Sequence, residues 1–177
     1  IEDQSIDEDT GLSLALSADD VDGDLLTYSA VIDGNGDVSV VDNELTVTPD
    51  GNYNGSIVVD VSVSDGEYSD SGSFTLTVNA VNDAPILAAI EDQSIDEDTD
   101  LVLTLVANDI DDDALIYSAT VDGNADVNIA DNELTIIPDA NYNGSIVVDV
   151  TVSDGQYIDT DSFVLIVNPV NDTPVLA

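Results

Sequence analysis

The run Ser-Ala-Asp-Asp-Val-Asp-Gly-Asp, residues 17–24, places Asp19, Asp20, Asp22 and Asp24 within six positions. The chain holds no Lys, Arg or His to pair with them. Carboxylates at this spacing offer hard oxygen ligands, and calcium takes about six to eight of these from carboxylates, carbonyls and waters. The run returns 89 residues later as Asp109, Asp111 and Asp113, with Asp112 where the first copy has Gly23. Alternate aspartates open an EF-hand loop, but the sixth position here is Leu25 or Ala114 instead of Gly. The twelfth is Val31 or Thr120 instead of Glu. Zinc would need His or Cys, and magnesium is seldom held by an all-protein cage. A solvated acidic loop is the plain alternative; the recurrence and the unpaired charge favour calcium.

The elements that position these carboxylates must form despite 39 acidic side chains and a formal net charge of -39. Charge of one sign opposes a compact state. A disordered acidic chain would be poor in hydrophobic and β-branched residues, whereas 43% of this one is hydrophobic, mostly Val, Ile and Leu. A folded β protein that takes its cations from solvent is expected. Nucleic acid and anionic membrane surfaces are excluded as partners, since both need Lys or Arg. No apolar run reaches the ~18 residues of a membrane span, so no membrane insertion is expected. Without cysteine no disulfide supports the fold. A chain that offers trypsin no site suits life outside the cell.

Ile-Glu-Asp-Gln-Ser-Ile-Asp-Glu-Asp-Thr stands at 1–10 and again at 90–99, and the offset of 89 holds to the last residue with 60 identities. The chain reads as two domain-sized units of a longer array, at residues 1–84 and 85–177. Within each unit the hydrophobic period is two. Leu12, Leu14 and Leu16 face one way, as do Val38 with Val40, Leu45 with Val47, Ile57, Val59, Val61 and Val63, and Phe74, Leu76 and Val78. The second copy keeps this set at Leu101, Leu103 and Leu105, at Ile146, Val148, Val150 and Val152, and at Phe163, Leu165 and Val167. Turn signals at 33–37, 41–44, 49–55 and 64–66 separate the runs. About seven short strands per unit predict an all-β chain of two Greek-key β-sandwiches. A sandwich of ~90 residues without disulfides needs a further staple, and a bound metal would serve.

Four motifs recur in order in each unit: Asp-Glu-Asp near the first strand, Asp-x-Asp-x-Asp, Val-Ser-Asp-Gly, and a closing Val-Asn-Asp-x-Pro at 81–85 and 170–174. Together they resemble the cadherin-like tandem repeats of large bacterial surface proteins and adhesins and, more distantly, animal cadherin repeats. The resemblance implies Ig/cadherin-like sandwiches in an elongated extracellular array, with calcium bound between successive domains. It assigns Glu8, Asn82, Asp83, Asp109, Asp111 and Asp154 to one ligand set. Asp20, Asp22 and Asp65 would then serve a preceding repeat, and Glu97, Asn171 and Asp172 a following one. Two features depart from animal cadherins: the mid-domain acidic pair is missing, and the Asn-Asp pair lies one residue closer to its proline.

The resemblance makes the protein a calcium-stiffened spacer or adhesion repeat at a cell surface. Its expected partners are adjacent repeats and another surface protein. A carbohydrate-binding module is a second reading, with Tyr53, Tyr68, Tyr142 and Tyr157 near turns, although a turn tyrosine more often plugs the end of a sandwich. Self-association into filaments through edge strands is a third. Catalysis is not expected, because no His, Cys or Lys can act as base or nucleophile.

Overall fold

A computed structural model describes residues 1–174. The chain forms two compact units that divide between Val81 and Asn82. Asn82, Asp83 and Ala84 therefore belong to the second unit. Among the described residues all regular elements are strands, and no helix is long and apolar enough to cross a membrane.

The first unit contains β1 (Gln4–Asp7), β2 (Leu12–Ala15), β3 (Thr27–Ile32), β4 (Gly36–Val41), β5 (Glu44–Pro49), β6 (Gly55–Ser64) and β7 (Ser69–Asn79). Their β-branched content suits a pleated, half-buried surface. One sheet has the order β1-β7-β6-β3 and the other β2-β5-β4. Neighbours such as β2 with β5 and β3 with β6 are far apart in sequence, the Greek-key pattern of Ig-like sandwiches. β1 runs parallel to β7 and the remaining pairs are antiparallel.

The second unit repeats this plan with β9 (Gln93–Asp96), β10 (Leu101–Thr104), β12 (Ile116–Val121), β13 (Ala125–Ala130), β14 (Glu133–Pro138), β15 (Gly144–Ser153) and β16 (Ile158–Asn168). Its sheets are β9-β16-β15-β12 and β10-β14-β13. Two short strands are added, β8 (Ile86–Leu87) and β11 (Ala107–Asn108), which pair antiparallel.

Alternation along each strand turns one residue in two inward. Ile57, Val59, Leu76, Leu45 and Val47 are fully buried in the first unit, and Ile146, Val148, Val150, Leu165, Leu134 and Ile136 in the second. Leu14, Val38, Val40, Val63 and Leu103, also expected inward, are half-buried towards sheet margins. Each unit has its own apolar core.

Tyr53 and Tyr142 pack against these cores. Their hydroxyls donate to the carbonyls of Ser56 and Ser145 at 3.0 Å. Both tyrosines are half-buried. The arrangement requires glycine beside the ring. A Cβ at Gly55 or Gly144 would stand 2.7 Å from the tyrosine Oη, and both have positive φ, 145° and 151°.

The acidic end of the second unit

Aspartate carboxylates do much of the local construction in this chain. With no cationic side chain available, backbone amides supply the donors. Asp109 Oδ1 accepts the N–H of Asp111 at 3.0 Å and of Asp113 at 3.3 Å. In the first unit Asp20 Oδ1 does the same for Asp22 and Asp24, at 2.9 and 3.0 Å. The first aspartate of each run is therefore the acceptor that winds the loop into a turn. The loop also needs a residue in the left-handed region, met by Gly23 (φ 79°) and by Asp112 (φ 60°). Glycine and aspartate both tolerate that conformation, which explains how the two copies differ here without changing the turn.

Asp154 lies between β15 and β16. Its Oδ1 accepts the amides of Gln156 and Tyr157, both at 2.6 Å, and its Oδ2 accepts Asn82 Nδ2 at 2.8 Å. Asp111 Oδ2 accepts the Asp83 N–H at 2.7 Å. Asn82, Asp83, Asp109, Asp111 and Asp154 are thus linked by hydrogen bonds at one end of the second unit. Asp109 Oδ2 is buried and accepts no hydrogen bond among the described residues. A carboxylate oxygen held away from water without a donor is costly.

In the first unit Asp20 and Asp22 share their turn, and Asp65 accepts the amides of Glu67 and Tyr68 at 2.7 and 2.6 Å. No described segment joins Asp22 to Asp65 as Asn82–Asp83 joins Asp111 to Asp154. Asn171 and Asp172 are exposed.

Glu8 and Glu97 occupy a different position in each unit. They are 4% and 7% exposed, the two buried charged side chains among the described residues. Glu8 Oε1 accepts the amide of Val81, and Glu97 Oε1 that of Val170. Each glutamate ties the end of its unit's last strand to the segment that follows. Glu97 Oε2 also accepts Asn143 Nδ2 at 3.3 Å, whereas Glu8 Oε2 is buried with no partner among the described residues.

At this end of the second unit the donor set is all oxygen, with carboxylates dominant, and Asp109 Oδ2 is a buried carboxylate oxygen without a donor among the described residues. That chemistry fits a hard divalent cation and calcium in particular. Among the described residues no group of three acidic side chains stands in metal-binding geometry.

Two anchors of this region escaped the sequence reading. Asp159 Oδ2 accepts the Leu87 N–H at 2.8 Å and Asp161 Oδ2 the Ile90 N–H at 2.7 Å. Their signal was a pair of acidic residues at alternate, half-buried positions of one strand, which reads as surface without knowledge of what crosses it.

The turn hydrogen bonds also set acidity. Asp65 is held below the ordinary value of 3.8 by the Tyr68 amide and then by that of Glu67, against a smaller opposing effect of desolvation. For Asp154 desolvation is the largest influence and pushes upward. Asn82 Nδ2 and the amides of Tyr157 and Gln156 together outweigh it, and the net shift is downward. Each lowered value means that the folded state holds the ionised form more tightly than the unfolded chain does. The stability this contributes is present above about pH 4 and is lost as the pH falls towards the folded values. Urea midpoints at pH 6, 4 and 3 are expected to fall less for Asp154→Asn than for the parent over the acidic half of that range.

Residues 2–79 match the cadherin-like domain family, and residues 82–167 match the bacterial Ig domain family. The chain is a tandem of cadherin-like, Ig-like β-sandwich repeats. No curated protein sequence matches the chain. Among solved structures, human protocadherin-24 EC1-2 aligns at 19% identity over 91% of this chain and 88% of its own, with a TM-score of 0.53. That likeness shows the fold. Titin domains z1z2, solved with telethonin, align at 13% identity over 96% of this chain and 94% of theirs, TM-score 0.43. An endo-fucoidan hydrolase of glycoside hydrolase family 107 aligns at 18% identity over 97% of this chain, TM-score 0.39. The chain spans 28% of that enzyme's length, and the likeness carries no activity across.

Proposed function

We propose that this chain is a calcium-stiffened spacer and adhesion module of an extracellular surface protein. The observation that carries the calcium reading is Asp109. One of its oxygens organises the turn, and the other is buried without a donor. Asn82, Asp83, Asp109, Asp111 and Asp154, all in the second unit, would hold the ion. Calcium would supply the positive charge that this chain lacks. The protein's own residues do the rest. Asp109 shapes the loop, Asp154 and Asp111 hold the 82–83 segment, and the buried glutamates fix where each unit's last strand ends. The extracellular setting is supported by the families matched. Adjacent repeats are the partners this architecture implies.

Calorimetric titration of the full chain with calcium chloride tests the reading. Extracellular modules hold calcium with Kd of about 0.1–1 mM, and a value in that range is expected. Asp109→Asn keeps a turn acceptor but removes the buried charge, and is expected to weaken binding at least about tenfold. Equal heats for parent and variant would remove Asp109 from the site.

A further inference from the structure

Asp159 and Asp161 lie on β16 in the alternation that continues inward as Phe163, Leu165 and Val167. Both are half-buried, and they stand opposite Val152 and Val150, which are fully buried. A charged group at the margin of an apolar core is costly unless it is hydrogen-bonded. These two are bonded through both oxygens. Asp159 Oδ1 accepts the Thr160 N–H and its Oδ2 the Leu87 N–H, each at 2.8 Å. Asp161 Oδ1 accepts the Ser162 N–H at 2.9 Å and its Oδ2 the Ile90 N–H at 2.7 Å. One oxygen of each is thus fixed by the residue that follows, and the other holds the segment 85–90.

That segment is also held by β11. Ile86 and Leu87 pair with Asn108 and Ala107, and the Ala88 N–H donates to the Val106 carbonyl at 2.8 Å. Leu87 joins the core and Pro85 is buried. Asp109 directly follows the paired Asn108, and Asp83 stands four residues before Leu87. Pro85 between them leaves the chain little freedom. The seating of 85–90 therefore sets where Asn82 and Asp83 arrive, and they arrive at Asp154 and Asp111. The first unit carries Asp70 at the place of Asp159 but Gly72 at the place of Asp161, so the pair of carboxylates is a feature of the second unit.

We propose that Asp159 and Asp161 are positioning residues for the calcium site. They clamp residues 85–90 into the sandwich and so present Asn82 and Asp83 to Asp109, Asp111 and Asp154 before the ion arrives. This role rests on the calcium reading above. Seating the segment in advance removes an ordering cost from binding. The apparent affinity then scales with the fraction of molecules in which the segment is seated. Coupling of this kind is reciprocal, so calcium in turn holds the segment in place.

Asparagine has the shape of aspartate but one acceptor oxygen, and its amide nitrogen cannot accept an N–H. Asp159→Asn/Asp161→Asn therefore breaks one bond of each pair at constant shape. Asp161→Gly copies what the first unit carries at this place and is the milder second variant. Asp126→Asn/Asp149→Asn removes the same charge from exposed positions and is the control. Amide hydrogen exchange of the full chain is followed in EDTA and in saturating calcium chloride, beside calorimetric titration, with about 150 mM sodium chloride to screen distant charge. In EDTA the amides of Leu87, Ile90 and Asp83 are expected to exchange at least about tenfold faster in the first double variant than in the parent. The Asp83 amide bonds to Asp111 and not to the clamp, so its exchange reports how the ligands are presented. Calcium is expected to restore protection at all three. The calcium Kd is expected to rise about tenfold in that variant, less in Asp161→Gly, and to stay within about twofold in the control. Unchanged exchange at Leu87 and Asp83, or a Kd equal to that of the control, would overturn the positioning role and leave the calcium site standing. No heat from the parent would defeat the calcium reading and the positioning role with it, even where exchange is faster.

Discussion

In 10 mM calcium the second unit is expected to melt well above its temperature in EDTA. A site with Kd of about 0.1 mM that binds only the folded state adds about 2.7 kcal/mol at a hundredfold excess. For a domain of 60–100 residues each kcal/mol moves Tm by about 4–8 °C. The expected rise is therefore about 10–20 °C. Sodium chloride at matched ionic strength screens the general repulsion of 39 carboxylates without occupying a site, and should give a smaller rise. Magnesium should resemble sodium, because it demands stricter geometry and loses its water reluctantly. Asp109→Asn should reduce the calcium increment to that of sodium, since it removes the charge on a turn-forming carboxylate that has a buried oxygen without a donor among the described residues. Identical melts in calcium and in matched sodium would mean that the acidic end is solvated, and the calcium reading would fall.

Phe163→Ala is expected to cost about 3–5 kcal/mol, the range for truncating a buried phenylalanine. Phe163 is 2% exposed and is the largest of the fully buried side chains. It sits opposite Val148 in the β15–β16 pair, on the face turned to the other sheet. Truncation leaves a cavity that the flanking strands cannot collapse into without breaking ladder hydrogen bonds. Typical domains hold about 5–15 kcal/mol in all, so about a fifth or more of the second unit's stability should go. Each unit has its own core, so Phe74→Ala should lower the other calorimetric transition. Val147→Ala removes an apolar side chain from the opposite face of β15, where it is 40% exposed. Surface changes of that kind stay within about 0.5 kcal/mol. If Phe163→Ala moves Tm no more than Val147→Ala does, the packing described for this core is wrong.

The two predictions rest on different kinds of information. Phe163 could be placed inside from the period of two in Phe-Val-Leu-Ile-Val, because a strand sends alternate side chains to opposite faces whatever it pairs with. The same holds for Ile146, Val148 and Leu165. Asp-x-Asp-x-Asp could be read as a turn rich in oxygen ligands for a comparable reason: its residues are neighbours along the chain. Tyr142 was legible only as a turn tyrosine; that its hydroxyl binds Ser145 and its ring lies over Gly144 depends on backbone angles that sequence does not display.

The amino-acid sequence by itself determined the strands, the two-fold repetition, the inward residues and the local acidic turns, because each follows from spacing within a few residues or from identity at one offset. The tertiary structure alone decided which distant carboxylates serve which amides. Asn82 reaches Asp154 across 72 positions and Asp83 reaches Asp111 across 28, and Asp159 and Asp161 anchor a segment more than 70 residues earlier. Those partnerships depend on which strands become neighbours in a Greek key, a matter of sheet order.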